Sequence, residues 1–278
     1  MNEIIFITAY RDIGRSKWIN IPRTTETYCD SFYKYASRIN YILLVFVDET
    51  VKKYLQSKYT LPCNVEFYDI NKYSTFYDKY IELEKKIISC TNYKNKIPND
   101  RKGCIEHTYA EYNLINHSKI NYVNIAKKLY PNYDFYSWID FGLELPNNSN
   151  IFSSLNISTI PQKIIYQHVS SNLPKHKMYI LPEKEDATDP NNMLASHVIY
   201  FAGSIFIVHK DLVSLYEKLY DDKLQELQKK EIVDDDQNVV LQIYLDNKEL
   251  FYMPKVKDFS NLNIPLGLTE WFKLYELF

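Results

Sequence analysis

The sequence predicts a single α/β domain with a mostly parallel central sheet and helices on both of its faces. Short apolar runs alternate with segments of helical periodicity through the first half of the chain, which is the order of β-α-β units. No linker rich in Pro, Gly or Ser divides the 278 residues, and one α/β domain commonly reaches this length. We therefore expect one domain over residues 1–278.

Strands are predicted where apolar and β-branched residues follow one another without helical spacing. Such continuous runs are typical of strands that are buried on both faces, as in parallel sheets. In chain order, the predicted strands are residues 4–8, 41–47 and 65–68, a strand that ends at Asp140, and residues 163–168, 197–208 and 250–253.

Helices are predicted where apolar residues recur at intervals of three and four positions. In chain order, they are residues 22–38, 51–58, 75–90, 107–130, 211–229 and 235–245. The polar, proline-containing stretch 170–192 is predicted to be a loop or flap.

The composition excludes several classes of protein. The net charge is −2 and the basic residues are scattered, so we expect no nucleic-acid partner. No apolar stretch approaches the roughly 18 residues that a membrane span needs, and the N-terminus is too short and acidic for a signal peptide. The four cysteines lack C-x-x-C spacing, which predicts reduced thiols. We expect a soluble, cytoplasmic protein.

The motifs that are missing narrow the chemistry. The five glycines form neither G-x-G-x-x-G nor G-x-x-x-x-G-K-[ST], which excludes a Rossmann dinucleotide site and a P-loop. Asp140-Phe141-Gly142 matches the magnesium motif of protein kinases, but the other kinase motifs are absent. A two-metal phosphohydrolase or nucleotidyltransferase would need a denser carboxylate or histidine cluster than the chain offers.

Asp140 is the first candidate functional residue. It ends a predicted strand just before a glycine turn, and open α/β sheets bind their ligands at the carboxyl ends of their strands. Mg²⁺ and Mn²⁺ prefer oxygen ligands and usually take one or two protein carboxylates together with substrate phosphates. Asp140 is therefore a candidate metal ligand, although an aspartate after a strand often only organises the turn.

Lys119 lies in the middle of an apolar helix face. The face is formed by Tyr112, Ile115, Tyr122, Val123 and Ala126. A lysine in that position either pairs with an anion, for which a diphosphate is a candidate, or packs its stem on the stripe and places its ammonium in solvent.

The acidic run at residues 234–236 opens a predicted helix. Helical phase directs Asp236 and Gln237 inward, towards the apolar face, and directs Asp234 and Asp235 outward as helix-capping carboxylates. Asp236 is therefore the functional candidate of the run.

Two further positions lie on the long apolar strand at residues 197–208. Gly203 indicates either a bulge or a place where a ligand approaches the backbone. His197 is the histidine we associate with a ligand, although an isolated histidine is more often structural.

Five motifs in this order resemble the HtrL/YibB family, over nearly the whole chain. They are Thr8-Ala9-Tyr10-Arg11-Asp12-Ile13-Gly14-Arg15 with Trp18, Arg23-Thr24-Thr25-Glu26-Thr27-Tyr28, Ala110-Glu111-Tyr112 with Lys119, Trp138-Ile139-Asp140-Phe141-Gly142, and Asp234-Asp235-Asp236-Gln237. Trp271-Phe272 also resembles the family's ending. The resemblance implies a GT-A-like fold, related to glycosyltransferases that use nucleotide sugars. It implies a nucleotide-binding half over about residues 1–142 and an acceptor-side half over about residues 143–278.

The resemblance also implies roles for particular residues. Asp140 matches the first aspartate of the GT-A metal motif D-x-D, whereas Gly142 stands at the position of the second. The metal then needs another ligand, or Lys119 and Arg15 carry the diphosphate charge without a metal. The donor-binding residues implied are Thr8, Ala9, Tyr10, Asp12, Arg15, Lys119, Gly142 and Gly203, with Asp236 and Gln237 near the reacting hydroxyls as catalytic residues. From its position ahead of the Gly203 strand we add His197 to the donor-binding residues.

These implications predict a glycosyltransferase that uses a nucleoside diphosphate sugar, a UDP-sugar, a hydroxyl acceptor such as a glycan, and Mn²⁺ or Mg²⁺. The alternative is a non-catalytic module that binds nucleotide sugars or glycans on the same fold. Hydrolysis of the donor separates the two.

Overall fold

A central sheet of seven strands organises the fold. The computed structural model describes residues 3–19, 21–144, 152, 155–168, 201–254, 274 and 278. Within these residues the strands are β1 (Ile4–Ala9), β2 (Leu43–Val47), β3 (Val65–Asp69), β4 (Phe135–Ile139), β5 (Ile164–His168), β6 (Phe201–His209) and β7 (Phe251–Tyr252). Their spatial order is β3-β2-β1-β4-β6-β5-β7.

The sheet is mostly parallel. Strands β1, β2, β3 and β4 pair in parallel, as do β5 and β7, whereas β6 pairs antiparallel with both β4 and β5. Of the seven described strands, β6 therefore runs against the other six. The carboxyl ends of β1 and β4 meet at the same edge as the amino end of β6, so three chain segments converge there.

Helices cover both faces of the sheet. In the described residues they are α1 (Thr25–Ala36), α2 (Glu49–Lys58), α3 (Phe76–Ser89), α4 (Thr91–Lys96), α5 (Ala110–His117), α6 (Lys119–Leu129), α7 (Val213–Lys229) and α8 (Asp236–Asp246). Alternate residues of β1 enter two apolar cores, with Ile5 and Ile7 facing α3 to α8 and Ile4 and Phe6 facing α1 and α2. The predicted single α/β architecture is confirmed, and its strand order is consistent with a GT-A-like fold.

The predicted elements differ from the observed ones at a few places. The single helix predicted over residues 107–130 is observed as two helices, α5 and α6, which are separated at Ser118. The short helix α4 was not predicted. The predicted loop at residues 170–192 and the first four residues of the strand predicted at 197–208 lie outside the described residues. Among the described helices, none has both the length and the apolar character needed to cross a membrane.

Candidate functional site

A pocket of about 570 Å³ opens at the sheet edge where β1, β4 and β6 meet. That volume lies within the range of about 300–1,000 Å³ that is common for small-molecule sites. Its walls combine aromatic, basic and acidic side chains. The polar and aromatic residues that line it are Tyr10, Arg11, Arg15, Arg23, Tyr28, Tyr112, Asn116, Lys119, Tyr122, Trp138, Asp140, Phe141, Glu144 and Ser204.

A buried charge cluster forms one wall of the pocket. The Lys119 Nζ lies 2.9 Å from Asp236 Oδ2 and 3.1 Å from Asp140 Oδ1. It also donates a hydrogen bond of 2.9 Å to the carbonyl oxygen of Gly203. Trp138 Nε1 donates to Asp140 Oδ1 at 2.7 Å. One ammonium therefore joins two carboxylates, Asp140 and Asp236, that lie far apart in sequence.

The backbone places these groups with little freedom. Lys119 is the first residue of α6, and Asp236 is the first residue of α8. The Asp140 N–H donates to the carbonyl oxygen of Ser204 at 2.9 Å, which holds the end of β4 against β6. A Cβ at Gly203 would lie 2.8 Å from Asp236 Oδ2, so only glycine lets this carboxylate approach the strand. A group does approach the backbone of Gly203 closely, as one of the two interpretations predicted, but that group is the side chain of Asp236 and not a ligand.

The charges in the cluster depend on one another. Burial by itself would lower the pKa of Lys119, but the carboxylates of Asp140 and Asp236 outweigh it and raise that pKa above its ordinary value. Burial raises the pKa of Asp140, and Lys119 opposes the rise. An ammonium has three protons to donate, and the three contacts of Lys119 use all of them. To bind a diphosphate as predicted, Lys119 must give up one of these contacts.

The start of α8 corrects one prediction. Asp234 was expected to face outward, but it is only 2 % exposed. Its Oδ1 accepts from the Asp235 N–H at 2.9 Å, and its Oδ2 accepts from Asn238 Nδ2 at 2.8 Å. Asp234 turns inward because it precedes the helix, where helical phase does not apply. Asp235 caps the helix as predicted, accepting from the Gln237 N–H at 3.1 Å.

His117 holds the same segment from the end of α5. Its Nε2 donates to the Asp234 carbonyl oxygen at 3.0 Å, and its Nδ1 accepts from the Tyr220 hydroxyl at 2.9 Å. Burial lowers the pKa of His117 to about 4. The imidazole is therefore neutral at physiological pH, and its two hydrogen bonds define which nitrogen carries the proton.

Arg15 and Arg23 also line the pocket, and both contact Tyr28. Arg15 Nη1 donates to the Tyr28 hydroxyl at 2.6 Å, and the Arg23 guanidinium lies 4.7 Å from the centre of the Tyr28 ring. Arg23 Nη2 also donates to the Gly142 carbonyl oxygen at 3.0 Å. A Cβ at Gly142 would overlap the Tyr28 ring and lie 3.2 Å from Arg23 Nη1. An aspartate has no room at position 142.

The other predicted donor-binding residues have different placements. Ala9 and Tyr10 line the pocket. The Thr8 side chain does not, because Thr8 is fully buried and its hydroxyl accepts from Tyr35 at 3.3 Å. Asp12 is exposed and accepts from the Gly14 N–H at 2.8 Å, so it shapes the loop after β1.

Of the two remaining predicted residues, Gln237 is not among the residues that line the pocket. Gln237 is half-buried at the start of α8. His197 lies outside the described residues.

The charge cluster fits a bridging divalent ion poorly. The Lys119 ammonium occupies the position between the carboxylates of Asp140 and Asp236 that such an ion would need. Across the described ranges, no group of three or more His, Cys, Asp and Glu side chains has a metal-binding arrangement. Asp140 Oδ2, at 3.5 Å from Lys119 Nζ, is the oxygen of that carboxylate with the fewest contacts. The predicted Mn²⁺ or Mg²⁺ at Asp140 stays a prediction that rests on this one oxygen.

Several site residues were not predicted as such. Trp138 precedes Asp140 by two positions on one strand, so alternation could have placed both on the same side. Arg11 and Arg23 lie in loops, where the sequence carries no periodicity that would show their direction, and Tyr28 lies in the first turn of α1.

Fold and site together define the class: a single-domain α/β protein with a small-molecule pocket at the carboxyl edge of its sheet, rich in arginine and aromatic side chains. Residues 2–278 match the family described as bacterial proteins of unknown function (HtrL_YibB), and the chain belongs to that family. A comparison with curated proteins finds no match.

Proposed function

We propose that the protein is a glycosyltransferase that moves a sugar from a nucleoside diphosphate donor, a UDP-sugar, to a hydroxyl acceptor such as a glycan. One observation supports this most directly. A pocket of about 570 Å³ at the carboxyl edge of the sheet places aromatic rings and arginines around the carboxylate that ends β4. Such a pocket suits a ligand with a flat base, a diphosphate and a polar sugar.

The aromatic part of the pocket is preorganised. The Tyr10 ring stacks on Phe141 with centroids 5.1 Å apart, and it also lies 4.9 Å from the Tyr28 ring. Rigid rings give a flat ligand a stacking surface and lose little conformational entropy when it binds. We assign the nucleoside to this side of the pocket.

The chemical step in this proposal belongs to Asp236. Its carboxylate lies behind Lys119 and is 8 % exposed, and it is absent from the residues that line the pocket. To act as a base, or to position the sugar, it must reach a hydroxyl at about 2.6–3.2 Å, which requires the cluster to open when the ligand binds. Lys119 then serves to hold the Asp236 carboxylate in place until that moment.

The test is release of nucleoside diphosphate from a panel of nucleotide sugars, with Mn²⁺ and with chelator. Asp236→Asn should lower transfer, or donor hydrolysis where no acceptor is known, by about two to four orders of magnitude. Asp235→Asn is the matched control, because an amide still caps α8. Equal activity in the two variants would remove Asp236 from the chemistry, and release that requires Mn²⁺ would support the metal at Asp140.

A second candidate function is a non-catalytic module that binds nucleotide sugars. The observation that favours it is the pairing of both site carboxylates with Lys119, because a carboxylate held by an ammonium is a weaker base than a free one. A module of this kind would be stabilised by a nucleotide sugar against thermal unfolding and would leave the sugar intact after prolonged incubation.

A further inference from the structure

The two arginines on Tyr28 differ from the other cations of the pocket in how their charge is balanced. Lys119 has two carboxylate partners, and Arg11 Nη1 lies 3.5 Å from Asp78 Oδ1. Arg15 makes its hydrogen bonds to neutral groups, the Tyr28 hydroxyl and the Ile21 carbonyl oxygen, and has no carboxylate partner in the part of the chain that the structure describes.

Arg23 is balanced only loosely. Its Nη2 lies 2.7 Å from Glu144 Oε1, but the Glu144 side chain is 65 % exposed. An ion pair with so much exposure is weak, because water and salt screen it. Of the four cations that line the pocket, Arg11 and Lys119 are thus paired with carboxylates, Arg23 is paired only with an exposed one, and Arg15 has none among the described residues.

The backbone around the pair is shaped to keep both guanidinium groups in place. Ile21 has a φ of 53°, an unfavourable conformation for a β-branched residue, and its carbonyl oxygen accepts from Arg15 Nε at 3.3 Å. Gly142 packs closely on Tyr28, and its carbonyl oxygen accepts a hydrogen bond from Arg23. Conformational cost of this kind is commonly found where the chain builds a binding site.

We propose that Arg15 and Arg23, held on Tyr28, form a phosphate-binding site that takes the diphosphate of the ligand without a metal ion. Guanidinium groups present fixed pairs of N–H donors that match phosphate oxygens, and both of these groups line one pocket beside Tyr28. The identity of the ligand as a nucleotide sugar rests on the proposed function, whereas the anion site does not. The two arginines can bind the diphosphate while all three protons of the Lys119 ammonium are donated to Asp140, Gly203 and Asp236.

Inorganic pyrophosphate is the probe, because it contains the anion and nothing else. Its binding is measured by titration calorimetry in the presence of chelator, on the full chain. Arg15→Gln and Arg23→Gln should each weaken binding by about ten- to a hundredfold, the range for hydrogen bonds to charged groups. Lys17→Gln is the matched control: Lys17 is exposed in the same Arg15–Lys17 turn, and its loss removes the same charge. We expect less than about a twofold change for it.

Glu144→Gln gives a test that misfolding cannot imitate. Removal of this carboxylate frees Arg23, so pyrophosphate should bind about two- to fivefold more tightly. Thermal unfolding of each variant without ligand establishes that it is folded.

The outcomes separate the anion site from the proposed function. Pyrophosphate that binds only with Mn²⁺, or equally to Arg15→Gln, Arg23→Gln and Lys17→Gln, would overturn the anion site even if nucleotide sugars are turned over. Pyrophosphate that binds through both arginines while every nucleotide sugar stays intact would support the anion site and contradict the transferase.

Discussion

Two buried acidic regions of this molecule balance their charge in opposite ways. At the pocket, Asp140 and Asp236 share the ammonium of Lys119. Between α3 and α7, Glu84 is 1 % exposed and its partner is an amide, with Gln228 Nε2 donating to Glu84 Oε1 at 3.0 Å. Glu84 Oε2 and Gln228 Oε1 have no hydrogen-bond partner among the described residues.

The difference shows two ways in which a carboxylate removed from water can be accommodated. A counter-charge at hydrogen-bond distance offsets the loss of water, whereas one amide does not. Burial raises the pKa of Glu84 to about 8, so this group is protonated in the folded protein at neutral pH. The pocket carboxylates keep a cation beside them, which is what a site that handles anions or protons requires.

Removal of the shared cation should have the largest effect. Lys119→Met leaves the buried Asp236 and the half-buried Asp140 without their shared cation, which should lower the free energy of unfolding by about 3–5 kcal/mol. Urea unfolding measured by circular dichroism gives this value.

Lys128→Met is the control for Lys119→Met. Lys128 is exposed on the same helix, α6, and its replacement should cost less than about 0.5 kcal/mol. Adding Asp140→Asn and Asp236→Asn to Lys119→Met should recover much of the lost stability. A Lys119→Met protein as stable as Lys128→Met would show that the cluster is not held by its charges.

Glu84→Gln should change how the stability of the protein depends on pH, because Glu84 is a buried carboxyl group without a cation beside it in the described part of the chain. The pKa of Glu84 is about 8 in the folded chain against an ordinary 4.5, so between these values the folded state holds a proton that the unfolded state releases. Stability therefore falls as pH rises through that window. Relative to the unchanged protein, Glu84→Gln should gain about 3 kcal/mol between about pH 5 and about pH 7, because a neutral amide removes this linkage.

Chemical unfolding at the two pH values measures the Glu84 effect, and Glu82→Gln, two positions away and exposed on α3, is the control. Parallel pH profiles for the unchanged protein and Glu84→Gln would mean that Glu84 is ionised when folded, contrary to the comparison.

A carboxylate that only caps a helix should have a smaller effect. Asp235→Ala removes the acceptor of the Gln237 N–H and should cost about 1 kcal/mol, while Asp235→Asn should cost a few tenths. Thermal unfolding of the two variants checks this. A loss as large for Asn as for Ala would indicate that the charge of Asp235, and not its cap, is what matters.

The smallest effect on stability is expected at an exposed Lys–Asp ion pair, which has the same residue types as the Lys119 cluster. Lys218 and Asp222 lie one turn apart on α7, with side chains that are 70 % and 55 % exposed. Lys218→Met should change the free energy of unfolding by less than about 0.5 kcal/mol. A larger loss would show that the contrast with Lys119→Met does not come from burial.

Most of the fold could be predicted from the alternation of apolar runs and helical segments. The strands at the sheet centre are apolar on both sides, so their positions are visible in the sequence, as for β2 and β4. Direction is not visible, because an apolar strand has the same pattern whichever way it runs, and the antiparallel pairing of β6 depends on the connection before it. The interruption at Ser118 leaves no mark in the periodicity.

The candidate site could be predicted only in part. Helical phase placed Lys119 with Tyr112, Ile115 and Tyr122, and all four line the pocket despite the interruption at Ser118. Phase also turned Asp236 inward correctly, but it failed at Asp234, which precedes the helix. Which distant groups pair with one another depends on the assembled fold. The sequence therefore could not show that Lys119 uses all three of its protons on protein groups, or that the carboxylate partner of Arg23 is exposed.

The fixed protonation of His117 has a spectroscopic consequence. Its Nε2 proton is enclosed between α5 and the Asp234 carbonyl oxygen, away from solvent, so exchange with water should be slow and the proton should give a resolved nuclear magnetic resonance signal. Because Asp234 precedes Asp236 by two residues, displacement of the start of α8 would shift that signal. A single imidazole proton thus reports on the position of the candidate catalytic carboxylate without a label in the pocket.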